Sequence, residues 1–229
     1  MYSAMPAILK EAVEKAYVNC GWNLLQSKNK YGNNIFPDFH DLLKELPTII
    51  QNSDFSGEVK GNYTGALITR VNSLTTGYFR TIFQKEELPL SELFDCNCIV
   101  DLSRVGSNET KALLMGILFL KLLEYRMSTA TSENVPLKHI TVLEEAHNLL
   151  KKTSTEQNQE SSNLQGKSVE MLTNGIAEMR TYGEGFIIAD QAPGLLDPAV
   201  IRNTNTKIVI VHIIHRLLVV PPPASTPLL

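Results

Sequence analysis

The sequence predicts an α/β fold: a parallel sheet with helices on both faces, preceded by a mostly helical subdomain. Three observations predict it. Short, continuously apolar runs at residues 98–102, 140–143, 185–190 and 207–211 read as strands buried on both sides. The stretches between them carry helical periodicity and capping signals. The run at 140–143 ends in two adjacent carboxylates, Glu144 and Glu145, and open parallel sheets gather their ligands at the C-terminal edge of the strands. The expected division is a helical subdomain over 1–94, the sheet-bearing unit over 95–215 and a disordered tail over 216–229, Pro-rich from residue 221.

Taken in order, the first third is helical. Pro6 suits a first helical turn, and Leu9, Val13, Ala16, Tyr17 and Cys20 recur at spacings of three and four, with Gly21 as the stop. A shorter helix over 38–46 is expected to end before Pro47, and a third runs over 63–74 towards Thr75-Thr76-Gly77. The pattern then changes. A strand at 98–102 leads to a long helix capped by Ser107 or Asn108 and running through Met127, with Glu109 near its positive end. A strand at 140–143 is followed by a helix from about Ala146. Residues 153–163 are polar and read as an exposed loop, and 168–180 as a helix. Strands at 185–190 and 207–211 complete the sheet, and no internal repeat is visible.

With 43% hydrophobic and 20% charged residues the chain has the material for a packed core. A net charge of -3 gives no global sign of nucleic-acid binding, although a ring can concentrate a few basic side chains locally. Cys20, Cys96 and Cys98 do not form a disulfide framework, and with no second pair beside Cys96 and Cys98 zinc is not expected. Residues 1–6 lack a basic, then apolar leader, and 112–123 is too short for a membrane span. A cytoplasmic protein with no membrane partner is expected.

The segment Ile-Thr-Val-Leu-Glu-Glu-Ala-His at 140–147 has the layout of a Walker B element. Glu144 can hold Mg²⁺, through water, since its extra methylene relative to Asp moves the oxygens outward. Glu145 can orient and polarise the water that attacks a γ-phosphate. The plain alternative is a strand end with two solvated acids. Gln191, after Asp190, can serve as a γ-phosphate sensor or simply cap a turn before Pro193. Arg180 can offset a helix C-terminus or act as an arginine finger on a neighbouring subunit's ATP. His147, just after the acids, is expected to orient its neighbours by hydrogen bonding. Gly166-Lys167-Ser168 imitates the end of a phosphate loop, but position 161 is Ser where the first glycine is required and no strand precedes it. Gly166 reads as a loop residue and Ser168 as a helix start. No G-x-x-x-x-G-K-[ST] phosphate loop occurs before the acid pair.

On these residues the chain resembles the HerA/FtsK superfamily of hexameric P-loop motors, bacterial HerA-like ATP-binding proteins in particular. The likeness is carried by 140–147, by Glu-Met-Arg-Thr-Tyr-Gly at 178–183, by Gly-Phe-Ile-Ile-Ala-Asp-Gln-Ala-Pro at 185–193 and by 196–206, and more loosely spans residues 12–210. It implies a RecA-like core with the helical first third as an insertion. It implies ATP hydrolysis at subunit interfaces of a homo-oligomeric, hexameric ring that moves double-stranded DNA. Glu144 then matches the metal-side acid, Glu145 the catalytic Glu, Gln191 the sensor and Arg180 the arginine acting in trans. Glu144, Glu145 and Gln191 would together face ATP. The family's phosphate loop lies upstream of anything matched, and the sequence after Val211 departs from the family's last segments, so the core is expected to be incomplete and inactive alone. Such motors work with a nuclease or other effector protein. The competing expectation is a non-catalytic interaction module, derived from a motor ATPase and docking on such an effector.

Overall fold

A computed structural model describes residues 4–32, 35–152 and 159–209. The first helix, α1 (Ala4–Asn19), ends where Gly21 takes a φ of +98°. Its buried residues are Ile8, Ala12 and Ala16, and Val13 is exposed, so the buried stripe lies one position away from the expected Leu9–Val13 line. Small alanines at the contact let α1 lie close against α2 (Phe39–Asn52). Between them stands a hairpin of β1 (Trp22–Asn23) and β2 (Lys28–Asn29).

Helix α2 does not stop before Pro47 but runs through it. A proline inside a helix costs about 3 kcal/mol or more. Burying Ile49 and Ile50 beyond it, at about 1.5–3 kcal/mol each, offsets that loss. At its start Asp38 accepts from the Asp41 N–H at 2.9 Å, and the Asp41 carboxylate accepts from the Asp38 N–H in return. The expected helix over 63–74 is part of a longer helical run: α3 (Gly57–Tyr63), a π-helical turn Thr64–Ile68, and α4 (Thr69–Thr75). Ile8, Leu42, Leu46, Ile50, Tyr63 and Leu67 are among the residues of this first hydrophobic cluster. Two short helices follow, α5 (Phe79–Ile82) and α6 (Leu90–Phe94).

The strand expected at 98–102 is an unpaired coil, with Ile99 95% exposed. Apolar β-formers alone do not make a strand without a neighbour to bond, and the Asp101 carboxylate turns the chain by accepting from the Ser103 N–H at 2.8 Å. Helix α7 (Asn108–Thr129) is capped by Ser107, as expected. Strand β3 (His139–Glu144) and strand β4 (Glu184–Ala189) pair in parallel, flanking α8 (Gln159–Met179). Gly166 and Ser168 lie inside α8 rather than before it: a polar sequence is no bar to a helix whose apolar face begins at Val169. Residues 153–158 of the expected loop lie outside the described residues. So do 210–211 of the expected last strand and all of the tail. Residues 207–209 are exposed and pair with no strand among the described residues. Helix α9 (Pro198–Asn203) closes the described chain.

The fold is therefore mixed α/β, and among the described residues its parallel sheet has two strands. Among the described residues the helices meet one face of this sheet. His139, Thr141 and Leu143 pair with Glu184, Phe186 and Ile188 on the face that meets the helices, where the Phe119 and Phe186 rings lie 5.9 Å apart. On the other face Ile140, Val142 and Ile187 are exposed. Phe94, Phe119, Leu122, Leu150, Leu172 and Met179 are among the residues of the second hydrophobic cluster. Beside it Glu184, its side chain 0% exposed, accepts from Arg126 Nε at 2.8 Å, His139 Nδ1 at 2.8 Å and Thr141 Oγ1 at 2.6 Å. Arg126 also reaches Asp95 at 2.6 Å and the Phe94 carbonyl. Among the described residues no helix is long and apolar enough to cross a membrane.

The first cluster is tied to the segment after α5 by Asp41, which meets Lys85 at 2.8 Å and Lys44 at 3.0 Å. Burial pushes the Asp41 pKa up, but the hydrogen bonds from Lys85, Lys44 and the Asp38 backbone win and bring it from 3.8 to about 2. A carboxyl depressed on folding stabilises the protein above its unfolded pKa and loses that contribution as pH falls through the folded value. In thermal melts the gap between wild type and Asp41→Asn should be full above about pH 5 and close as pH falls towards about 2; a gap independent of pH would show that Asp41 carries no such contribution.

Candidate functional site

Parallel pairing sets Glu144 opposite Ala189, so the chain leaves both strands at one edge and brings Glu144, Glu145, Asp190 and Gln191 to it. The side chains of Glu144, Glu145 and Gln191 are exposed. Glu144 lies at the end of the open face, in line with Ile140 and Val142. Glu145 is in the left-handed region, with φ 47° and ψ 46°. For a residue with a side chain such a backbone costs on the order of 1–3 kcal/mol, and it persists only where the surroundings hold it.

Those surroundings are visible. The expected helix from Ala146 is a single 3₁₀ turn, Ala146–Asn148. It gives way to extended chain, Lys151 bridging antiparallel to Leu196. The Asp190 carboxylate, 2% exposed, accepts from the His147 N–H at 2.8 Å and from His147 Nδ1 at 2.9 Å, and its other oxygen accepts from the Ala192 N–H at 2.7 Å. Asp197 N–H then donates to the Leu150 carbonyl at 2.9 Å, and Lys152 N–H to the Leu195 carbonyl at 2.8 Å. The segment after the acids thus docks on the segment after β4 instead of continuing as a helix. Burial pushes the Asp190 pKa up, but the Ala192 and His147 N–H groups outweigh it and hold the carboxyl below its usual range. A carboxylate only accepts, so His147 Nδ1 carries the proton and Nε2 is left for other partners.

Arg180 lies elsewhere. It follows α8 in the 3₁₀ turn Arg180–Tyr182 and is exposed at the N-terminal end of β4. A six-residue strand at about 3.3 Å per residue separates it from the acid edge by roughly 20 Å. The structure therefore brings together Glu144, Glu145 and Gln191 and leaves Arg180 at the opposite edge, out of reach of Glu144 and Glu145.

The two exposed carboxylates fit a hydrated Mg²⁺, which keeps several waters and needs only one or two acids, with Glu144 the nearer to the sheet. Among the described residues no group of three or more His, Cys, Asp or Glu could hold a metal ion unaided. Cys96 and Cys98 are exposed in coil. Sequence reasoning expected an orienting role for His147 and missed its partner. Asp190 read as a strand end, although a carboxylate there, two residues before Ala192, is a signal for a turn-forming acceptor. It missed Glu184 altogether, since an acid after Tyr182-Gly183 looks like an ordinary solvated turn.

Compared with known proteins, the chain matches no family model, no curated protein and no solved structure.

Asp190→Ala leaves the half-buried His147 and Ala192 N–H groups without their acceptor and frees the Glu145 turn. Its expected loss of stability is about 2–3 kcal/mol by urea denaturation. A loss within about 0.5 kcal/mol, typical of plain surface substitutions, would mean the carboxylate does not hold this turn.

Proposed function

We propose that the chain supplies the hydrolytic side of an ATP site in a ring-shaped DNA translocase of the HerA/FtsK kind, with β3 and β4 belonging to a RecA-like sheet. The observation that carries this reading is the parallel register. It delivers Glu144, Glu145 and Gln191 to one edge and sends Arg180 from the other. Glu145, held out on a left-handed backbone, takes the role of the carboxylate that orients the attacking water and accepts its proton. Gln191 follows the Asp190 anchor and is positioned to hydrogen-bond the terminal phosphate or that water. Glu144 holds the magnesium ion through its water shell, and the ion neutralises charge on the phosphate oxygens. The phosphate cradle comes from outside these residues, since no phosphate-loop sequence occurs in the chain. Arg180, too far from its own acids, serves a neighbouring subunit's ATP, where a guanidinium stabilises the spreading transition-state charge.

Double-stranded DNA is the proposed polymer, a nuclease or other effector the proposed companion, and a hexamer the proposed assembly. The non-catalytic docking module is the alternative that the following test removes or restores. Subunits completed with a phosphate loop are assayed for DNA-stimulated ATP hydrolysis. Glu145→Gln and Arg180→Ala each reduce the rate by about 10³-fold or more. An equal mixture of the two variants regains activity, because some interfaces then join an intact Glu145 to an intact Arg180. Full activity in either variant alone, or no recovery on mixing, would refute the reading. The isolated chain should turn over no ATP; stoichiometric hydrolysis that disappears in Glu145→Gln would place a complete site within these residues.

A further inference from the structure

We infer that the hairpin of β1 and β2 is a nucleic-acid contact element whose leucine tip wedges against bases while its lysines hold phosphate. The choice of nucleic acid among polyanions rests on the motor reading above; the surface itself does not.

The tip displays apolar side chains that folding does not bury. Leu24 is 44% exposed and Leu25 99% exposed. A single exposed leucine needs no explanation, but this pair is held out by a turn with little freedom. The Asn23 side-chain oxygen accepts from both the Leu25 and Gln26 N–H groups at 3.1 Å, and Ser27 closes the turn with φ 49°. The base is fastened as firmly. Asn29 donates to the Cys20 carbonyl at 3.1 Å, Lys30 N–H to the Gly21 carbonyl at 2.9 Å, and the Trp22 indole to the Ile35 carbonyl at 2.6 Å. Trp22 also stacks on Phe36 with ring centroids 5.0 Å apart. Gly21 is required here: a Cβ on it would come within 2.6 Å of the Tyr31 ring. A rigid stalk therefore presents an apolar point, and no ordering of the loop has to be repeated on binding.

Charge selects the partner. Lys28 and Lys30 flank the stalk, and between Lys15 and Pro37 the sequence contains no carboxylate, in a chain whose net charge is -3. Tyr31 is exposed beside Lys30, whose ammonium lies 4.8 Å from the ring centroid. Lysines for phosphate and leucines as a wedge are the parts that minor-groove binders use. A lipid surface suits the element less well, because the free apolar tip is two leucines.

The test uses the full chain and fluorescein-labelled 25-base-pair duplex, blunt or forked, with 2-aminopurine near the end. Anisotropy gives Kd across a salt series. Lys28→Ala/Lys30→Ala should weaken binding about tenfold or more at low salt and reduce the slope of log K against log salt by about 2, one unit per lost phosphate contact. Leu24→Ser/Leu25→Ser should leave the slope unchanged but abolish the rise in 2-aminopurine fluorescence that reports unstacking. All four positions are exposed, so melting temperatures should match wild type and make loss of fold distinguishable from loss of contact. Absence of DNA binding by the wild type, binding indifferent to the lysine pair, or leucine-dependent binding to anionic phospholipid vesicles with no base unstacking would each overturn the inference. DNA binding that survives while Glu145→Gln and Arg180→Ala leave ATP hydrolysis unchanged would instead sink the ATPase reading and leave the hairpin standing.

Discussion

The buried pair of Arg126 and Glu184 is the interaction on which the second half of the molecule depends. Glu184 has no exposed side-chain surface and three donors, from α7 and β3. Burial works against charge on Arg126, but the Asp95 and Glu184 hydrogen bonds overcome it and keep its pKa above the ordinary value. A pair of this kind adds little stability over a well-packed apolar replacement, yet removing one partner costs about 3–5 kcal/mol because the other is left charged and buried. Its value is positional. Glu184 is the first residue of β4 and faces His139, the first of β3. A slip of one residue would turn Glu184 to the open face and Phe186 away from Phe119. With that register locked at one end, the strand lengths determine what emerges at the other, and Glu145 and Gln191 emerge together.

The two ends of the sheet are thus built differently. The N-terminal end is closed by charge, with Tyr125 and Arg126 holding Asp95, and with the Phe94 carbonyl tying α6 to α7. The C-terminal end is closed by one carboxylate, Asp190, which serves backbone groups of both outgoing segments. The arrangement gives two acids and an amide at one edge and a guanidinium at the other, with the sheet as spacer.

Much of this was readable in the sequence where local and tertiary preferences agree. The paired strands were found because apolar β-branched residues there end in turn chemistry. The cap at Ser107 was found because the oxygen, the following acid and the apolar run coincide. Failures came where a distant partner decided. The runs at 98–102 and 207–209 have strand composition, but no described neighbour completes their hydrogen bonds. Pro47 reads as a stop because its local cost is visible in the sequence, whereas burial of Ile49 and Ile50 beyond it is not. The helix expected after the acids gives way to bonds with the segment after β4, more than forty positions away. Of the site, the residue types and their edge were legible. The left-handed backbone of Glu145 and the clamp that sustains it were not, because both arise from contacts between segments far apart in sequence.

That backbone has an implication for how position 145 evolves. Glycine adopts φ 47° without penalty and asparagine with little, whereas glutamate must be forced into it. Folding therefore favours Gly or Asn at this codon, whereas the hydrolytic role proposed for Glu145 would favour Glu. A library randomised there and sorted only for abundance should enrich Gly and Asn. Any preference for Glu that persists under selection for the proposed role would measure, at a single position, the stability exchanged for it.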